Sequence, residues 1–133
     1  MQRLLRPLGH PRRRCPQHKR RRARGRASQF YRIVDGKVDP RTYNGYRRYH
    51  AVCNHCHGPD GMGSSFGPSL VDHLPDVETF RRIVRDGKSS GAAVMKGFAD
   101  DANVAPYVDD IYAYLQARVD GALGRGRPMK LDE

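Results

Sequence analysis

Hydrophobic residues fall along this chain in short clusters whose spacing changes from place to place, and those changes mark the elements. In residues 30–38, apolar pieces flank Asp35-Gly36, a dipeptide suited to the positive-φ positions of a tight hairpin turn. A small two-stranded flap is expected there. Asp39 and Pro40 then offer an N-cap and a first helical position, and Tyr46, Tyr49 and Cys53 follow at helical offsets along one face. This predicts a first helix over about residues 40–54. Residues 57–69 are too rich in Gly, Pro and Ser for a long regular element and are expected as loop. Asp76 caps a second helix carrying Val77, Phe80, Ile83 and Val84, stopped by Gly87. A loop is expected from Lys88 to about Val104. Pro106 opens a last helix whose apolar stripe is Val108, Ile111, Tyr112, Leu115 and Val119, ended by Gly121. Beyond Gly124 the chain is expected to be irregular, and no internal repeat is present.

These elements occupy 133 residues, enough for one domain with one core. Only 38% of the residues are hydrophobic and Trp is absent, a thin supply for filling that core, so a bound group is expected to help fill it. No run approaches the roughly 18 apolar residues of a bilayer span, which excludes an integral membrane span. The net charge of +11 is confined to one end: residues 1–27 hold eleven Lys and Arg and no Asp or Glu, and residues 28–133 are balanced. The folded part is therefore not basic, and no nucleic-acid partner is expected. Residues 1–27, with three helix-breaking prolines and self-repelling charge, read as a disordered Arg-rich arm. They lack the roughly 7–15 apolar residues of a secretory leader. A solvated arm or a miscalled start replacing a leader is the reading adopted, over an anionic-surface tether or a nucleic-acid arm.

The chemistry lies at Cys53-Asn54-His55-Cys56-His57, the Cys-x-x-Cys-His spacing of c-type haem attachment. Three residues of separation at a helical end put both thiols on one side, where they can bond the two vinyl groups of one porphyrin edge. His57 then reaches the iron as an axial ligand. Zinc competes for two Cys with several His nearby, but a structural site wants four converging ligands, commonly as two pairs. Here Cys15 is stranded in the arm, and His50, His55 and His57 lie on and beside one helix. A thioredoxin-like pair would sit at a strand-to-helix junction, whereas this pair ends a helix.

With this motif in a helix, loop, helix, loop, helix order, residues 40–120 resemble the class I monohaem c-type cytochromes. The resemblance implies an all-α fold, a small cytochrome c fold of about three main helices wrapped around one covalent haem c, with a short N-terminal hairpin and irregular loops. It places the domain at residues 28–123, between the arm and an irregular tail at 124–133. Gly45, Tyr49 and Cys53 are similar to the positions at which that family's first helix crosses its last, here residues 110–115, with Tyr114 or Ile111 facing the glycine. Pro68, in Gly67-Pro68-Ser69-Leu70, resembles the proline whose carbonyl accepts the Nδ1 proton of the proximal histidine, here His57. Met62 follows His57 too closely to reach the opposite haem face. Met95 lies where the family carries its sulfur ligand, with Lys96 in place of the usual proline. His73, Met129 and an open distal position are the alternatives. The resemblance so implies cofactor-binding residues Cys53, Cys56, His57, Met95 and Pro68, with His57 and Met95 on the iron.

A six-coordinate iron leaves no place for substrate, and no separate catalytic pair is present, so the expected role is a single-electron carrier and not an enzyme. The alternative is a ligand sensor or peroxidase-like protein with an open distal site. Residues 43–50, 107–115 and 121–128 further resemble methanol-metabolism-related c-type cytochromes. That implies a periplasmic protein accepting electrons from a quinoprotein (PQQ) alcohol dehydrogenase and passing them to another cytochrome or a terminal oxidase. The Arg-rich arm departs from that family, which carries a secretion signal at the start.

Overall fold

The computed structural model describes Gly9, residues 25–91 and residues 93–132. Most of the expected arm lies outside the described residues. Its last three residues, Gly25–Ala27, form strand β1, so the arm ends earlier than expected. β1 pairs antiparallel with β2 (Arg32–Val34), and β2 with β3 (Lys37–Val38). Asp35 and Gly36 make the turn at φ of 51° and 77°, the left-handed pair the sequence called for. The sheet is completed by β6 (Met129–Lys130), parallel to β3 with Lys37 opposite Met129. The expectation of a wholly irregular tail is thereby corrected. A two-residue strand with no alternation leaves no period to read, and its partner is ninety residues away.

Asp39 caps helix α1 (Pro40–Arg48), accepting from the Thr42 backbone N–H at 3.3 Å and from the Thr42 hydroxyl at 2.6 Å. The helix does not stop at 54. It widens into a π-helical turn at Tyr49–Cys53 and continues as α2 (Asn54–His57), ending at Gly58 with φ 75°. Asp76 caps α3 (Val77–Asp86) through the Thr79 N–H, and Gly87 ends it at φ 80°. Residues 88–104, expected as loop, contain an antiparallel hairpin of β4 (Lys88–Ser90) and β5 (Ala93–Met95). Its sequence is mostly Ser, Gly and Ala and gave no strand signal. A short 3₁₀ turn containing Pro106 leads into α4 (Val108–Val119).

The last helix is buried on more than the expected stripe. Ile111, Tyr112, Ala113, Tyr114, Leu115 and Ala117 are all within 4% of full burial, while Val119 is 39% exposed. A helix covered on several sides is a core element. One side packs on the sheet through Tyr31, Ile33, Val38, Ala113 and Ala117. The other joins the main core of Tyr49, Phe80, Val84, Val104, Ile111 and Tyr114, against which Cys53, Leu70, Met95 and Phe98 are partly buried. Gly45 lies where α1 crosses α4. A Cβ there would overlap the Asp110 carbonyl, so only glycine allows the approach.

Candidate haem-attachment site

The π turn and α2 put Cys53, Cys56 and His57 on one helical end, and the residues after it fold back over that end. Cys53 is half-buried beside the core and Cys56 exposed, and both are free thiols. Burial pushes the Cys53 thiol up to about 11, with neighbouring Cys56 adding to the effect against a bond from its own backbone. The two cysteines are thus held as an unbridged pair.

His57 is buried, and its Nδ1 donates to the Pro68 carbonyl at 3.0 Å. That bond fixes the tautomer and leaves Nε2 with its lone pair for a metal. The return loop is built closely enough to keep the pair together. Gly63 N–H donates to the His57 carbonyl at 2.7 Å, and the Ser64 hydroxyl donates to the Cys56 carbonyl. At Gly67, a Cβ would stand 2.9 Å from the Cys56 carbonyl oxygen and 3.0 Å from His57 Nδ1, so glycine is required for the imidazole to keep its partner. Phe66, in the same loop, is 83% exposed.

Behind the histidine, the fully buried Tyr49 donates its hydroxyl to the Gly58 carbonyl at 2.6 Å. Burial raises the Tyr49 and Tyr114 hydroxyls well above the ordinary tyrosine range, with nearby Cys53 adding for Tyr49 and Asp60 for Tyr114. The rings of Tyr46, Tyr49 and His50 surround Tyr114 at centroid distances of 5.6, 5.6 and 5.8 Å. His50 Nδ1 donates to the Tyr46 carbonyl at 2.8 Å, and its Nε2 accepts from the Asp60 N–H at 3.1 Å. These two bonds engage the imidazole at both nitrogens. His50 is accordingly a structural residue.

Met95 ends β5, half-buried against the main core, while Lys96 lies over the ring of Phe98 at 5.4 Å. Gly87 and Gly97 pack this hairpin against the end of α3, where a Cβ on either would overlap backbone, and Phe98 N–H donates to the Val84 carbonyl at 2.7 Å. Met62 is 44% exposed and its sulfur accepts from Arg118 at 3.4 Å. Met129 lies in β6, 64% exposed, and His73 is exposed. The structure therefore brings Cys53, Cys56, His57 and Pro68 into one constellation and holds Met95 against the core that Cys53 also borders.

The constellation fits a covalent haem on its own terms: two free thiols on one helical end, an adjacent imidazole with Nδ1 occupied, and a glycine where a side chain would dislodge that imidazole. It does not fit zinc, since among the described residues no group of three or more His, Cys, Asp and Glu side chains could hold a metal ion.

Asp60 and Arg118 belong to this site without being among the residues its sequence motif marks. Asp60 is buried in the loop after His57 and Arg118 in the covered face of α4, with Arg118 Nε donating to the Asp60 carbonyl at 3.1 Å. An arginine one turn after Tyr114, among the apolar positions of the last helix, was the available signal, since a buried cation needs acceptors.

Fold and attachment site together define a small c-type cytochrome of class I, the class that binds haem c covalently. Residues 40–115 match the family described as cytochrome C oxidase, cbb3-type, subunit III, and the chain belongs to that family. It is 44% identical over 110 residues to cytochrome c-553I of Paracoccus denitrificans, covering 77% of this chain and 49% of that protein. The chain thus spans about half the length of that relative. It is 35% identical over 92 residues to cytochrome c-555 of Methylococcus capsulatus, covering 67% of this chain and 72% of that one. Among solved structures it is similar to the c-type cytochrome XoxG from Methylobacterium extorquens AM1, with 44% identity and a TM-score of 0.70, covering 81% of this chain and 77% of that one. No helix among the described residues is long and apolar enough to cross a membrane.

Proposed function

We propose that the protein shuttles single electrons in the periplasm, from a PQQ-dependent alcohol or methanol dehydrogenase to another cytochrome or a terminal oxidase. Cys53 and Cys56 would hold the haem through thioethers, and His57, oriented by Pro68, and Met95 would be the side chains that bind its iron. When bound, the haem supplies an iron that takes up and releases one electron. The observation that carries this reading is the 3.0 Å bond from His57 Nδ1 to the Pro68 carbonyl beside two unbridged thiols. Likeness to the c-type cytochrome XoxG supports the carrier reading.

The protein's own groups set the direction of the chemistry. An Nδ1–H bonded to a carbonyl makes the imidazole a better electron donor, which favours the ferric state. A thioether ligand and a surround of Tyr, Phe and aliphatic side chains favour the ferrous state. The exposed Cys56 and Phe66 mark the edge at which partners would meet the haem.

The test is coexpression with a haem-attachment system, with an export leader placed before Gly25 so that β1 is kept. The expected product keeps its haem under denaturing conditions and shows a sulfur-to-iron charge-transfer band when oxidised. A quinoprotein alcohol dehydrogenase reduces it in the presence of alcohol. A product without covalently retained haem overturns the proposal. Rapid carbon monoxide binding to the ferrous form would instead point to an open distal site.

A further inference from the structure

The turn between His57 and Pro68 is braced from outside the attachment segment, and Asp60 receives the braces. It has φ 58° and ψ 20°, a left-handed conformation uncommon for a non-glycine residue. Every polar group of this 7% exposed residue is engaged. One carboxylate oxygen accepts from Arg125 Nε at 3.2 Å, and the other from Gly126 N–H at 3.1 Å and the Tyr114 hydroxyl at 3.4 Å. The Asp60 carbonyl accepts from Arg118 Nε, and its N–H donates to His50. First helix, last helix and C-terminal segment all close on one residue.

The next peptide passes that anchorage on. The Gly61 carbonyl accepts from Leu70 N–H at 2.8 Å, Val71 N–H at 3.2 Å and the Ser69 hydroxyl at 3.3 Å. Those three residues directly follow Pro68, whose carbonyl holds the His57 Nδ1 proton. The carbonyl that aims the imidazole is therefore fastened to Gly61, and Gly61 to Asp60.

We propose that Asp60 is a positioning residue for the proximal histidine, its buried carboxylate fixing the 58–63 turn so that the Pro68 carbonyl stays on His57 Nδ1. The inference rests on the haem-carrier reading above. Truncating the carboxylate removes the acceptor for three donors and leaves the Arg125 charge and the Gly126 N–H without it. The freed turn then lets the Pro68 carbonyl move away from the imidazole, which becomes a weaker donor to iron.

The experiment uses the covalently loaded, reduced protein and follows solvent exchange of the His57 Nδ1 proton by NMR, together with the midpoint potential. Asp60→Ala is expected to speed that exchange about tenfold and to raise the potential. Asp60→Asn, which keeps one acceptor oxygen, falls between Asp60→Ala and wild type. Should Asp60→Ala not accumulate, Arg125→Gln carries the test from an exposed position, with a smaller acceleration expected. Unchanged exchange in these variants overturns the proposal. So does an equal acceleration in Gly45→Ala, because loss of global stability alone would then account for it. Wild-type protein lacking covalent haem would sink the carrier reading, whereas loaded protein with unaltered exchange sinks only the role of Asp60.

Discussion

The Nδ1 of His57 and the carbonyl oxygen of Pro68, eleven residues apart in sequence, stand 3.0 Å from each other. Gly67 leaves just enough room for that bond. Gly67→Ala should crowd the imidazole off its acceptor and weaken its donation to iron. A hydrogen bond contributes about 0.5–1.5 kcal/mol, and a tenfold change in a one-electron equilibrium is about 59 mV. The expected outcome is a midpoint potential higher by about 20–60 mV, read by redox titration with the haem still covalently attached.

Gly45→Ala probes the helix crossing. The added methyl would meet the Asp110 carbonyl and the Ile111 backbone N, neither of which can move without shifting α4. Overpacking costs about 1–3 kcal/mol, and rigid backbone on the far side puts this case at the upper end. Guanidinium unfolding of the reduced protein should show a lower midpoint with an unchanged slope.

Met95→Ala should abolish the sulfur-to-iron charge-transfer band of the oxidised protein and admit carbon monoxide to the reduced one. Met62→Ala should do neither, since that sulfur is engaged by Arg118. An intact band in Met95→Ala would remove Met95 from the ligand set.

Stability should decline at both pH extremes, for different groups. Tyr49 and Tyr114 have hydroxyls raised in the fold, so they favour folding while protonated. That contribution is complete below the unfolded tyrosine value of about 10 and is lost as pH rises above it. Tyr49→Phe should flatten the alkaline limb of a stability-versus-pH curve. Burial alone would raise the Asp60 carboxyl, but bonds from Gly126 and Arg125, with His50 and Arg118 adding to them, bring it below the ordinary carboxylate range. Its contribution is present above about pH 3.9 and is lost as pH falls through the depressed value. Asp60→Asn should therefore flatten the acid limb.

Phe66→Ser tests the docking edge. Loss of an exposed aromatic anchor should slow reduction by the dehydrogenase about tenfold while leaving the midpoint potential where it was. Stopped-flow mixing over a range of dehydrogenase concentrations measures this.

What could be read from the sequence was local chemistry with a fixed geometric demand. Asp39 and Asp76 cap helices because their carboxylates reach the N–H groups three residues on, and Asp35-Gly36 turns a hairpin because both tolerate positive φ. The spacing of Cys53, Cys56 and His57 is of the same kind. Elements supported only from a distance were not legible. Met129–Lys130 becomes a strand because Lys37–Val38 offers an edge, and the hairpin at 88–95 is held by glycine contacts with α3. Asp60 was hidden for the same reason: it stands in a Gly- and Pro-rich stretch, and its carboxylate partners are more than fifty residues downstream. Asp60-Gly61 does repeat the Asp-Gly pairing of the hairpin, and both Asp residues adopt positive φ.

The widened turn at Tyr49–Cys53 also constrains how this chain can vary. A π turn takes up more residues than an α turn over a similar rise, so Tyr49 and Cys53 are not stacked as an ordinary helix would stack them. Exchanging one letter in that stretch alters a side chain. Deleting one would wind the segment tighter and swing both sulfurs around the axis relative to Gly45, so in this stretch the count of residues is constrained as well as the identity of Cys53.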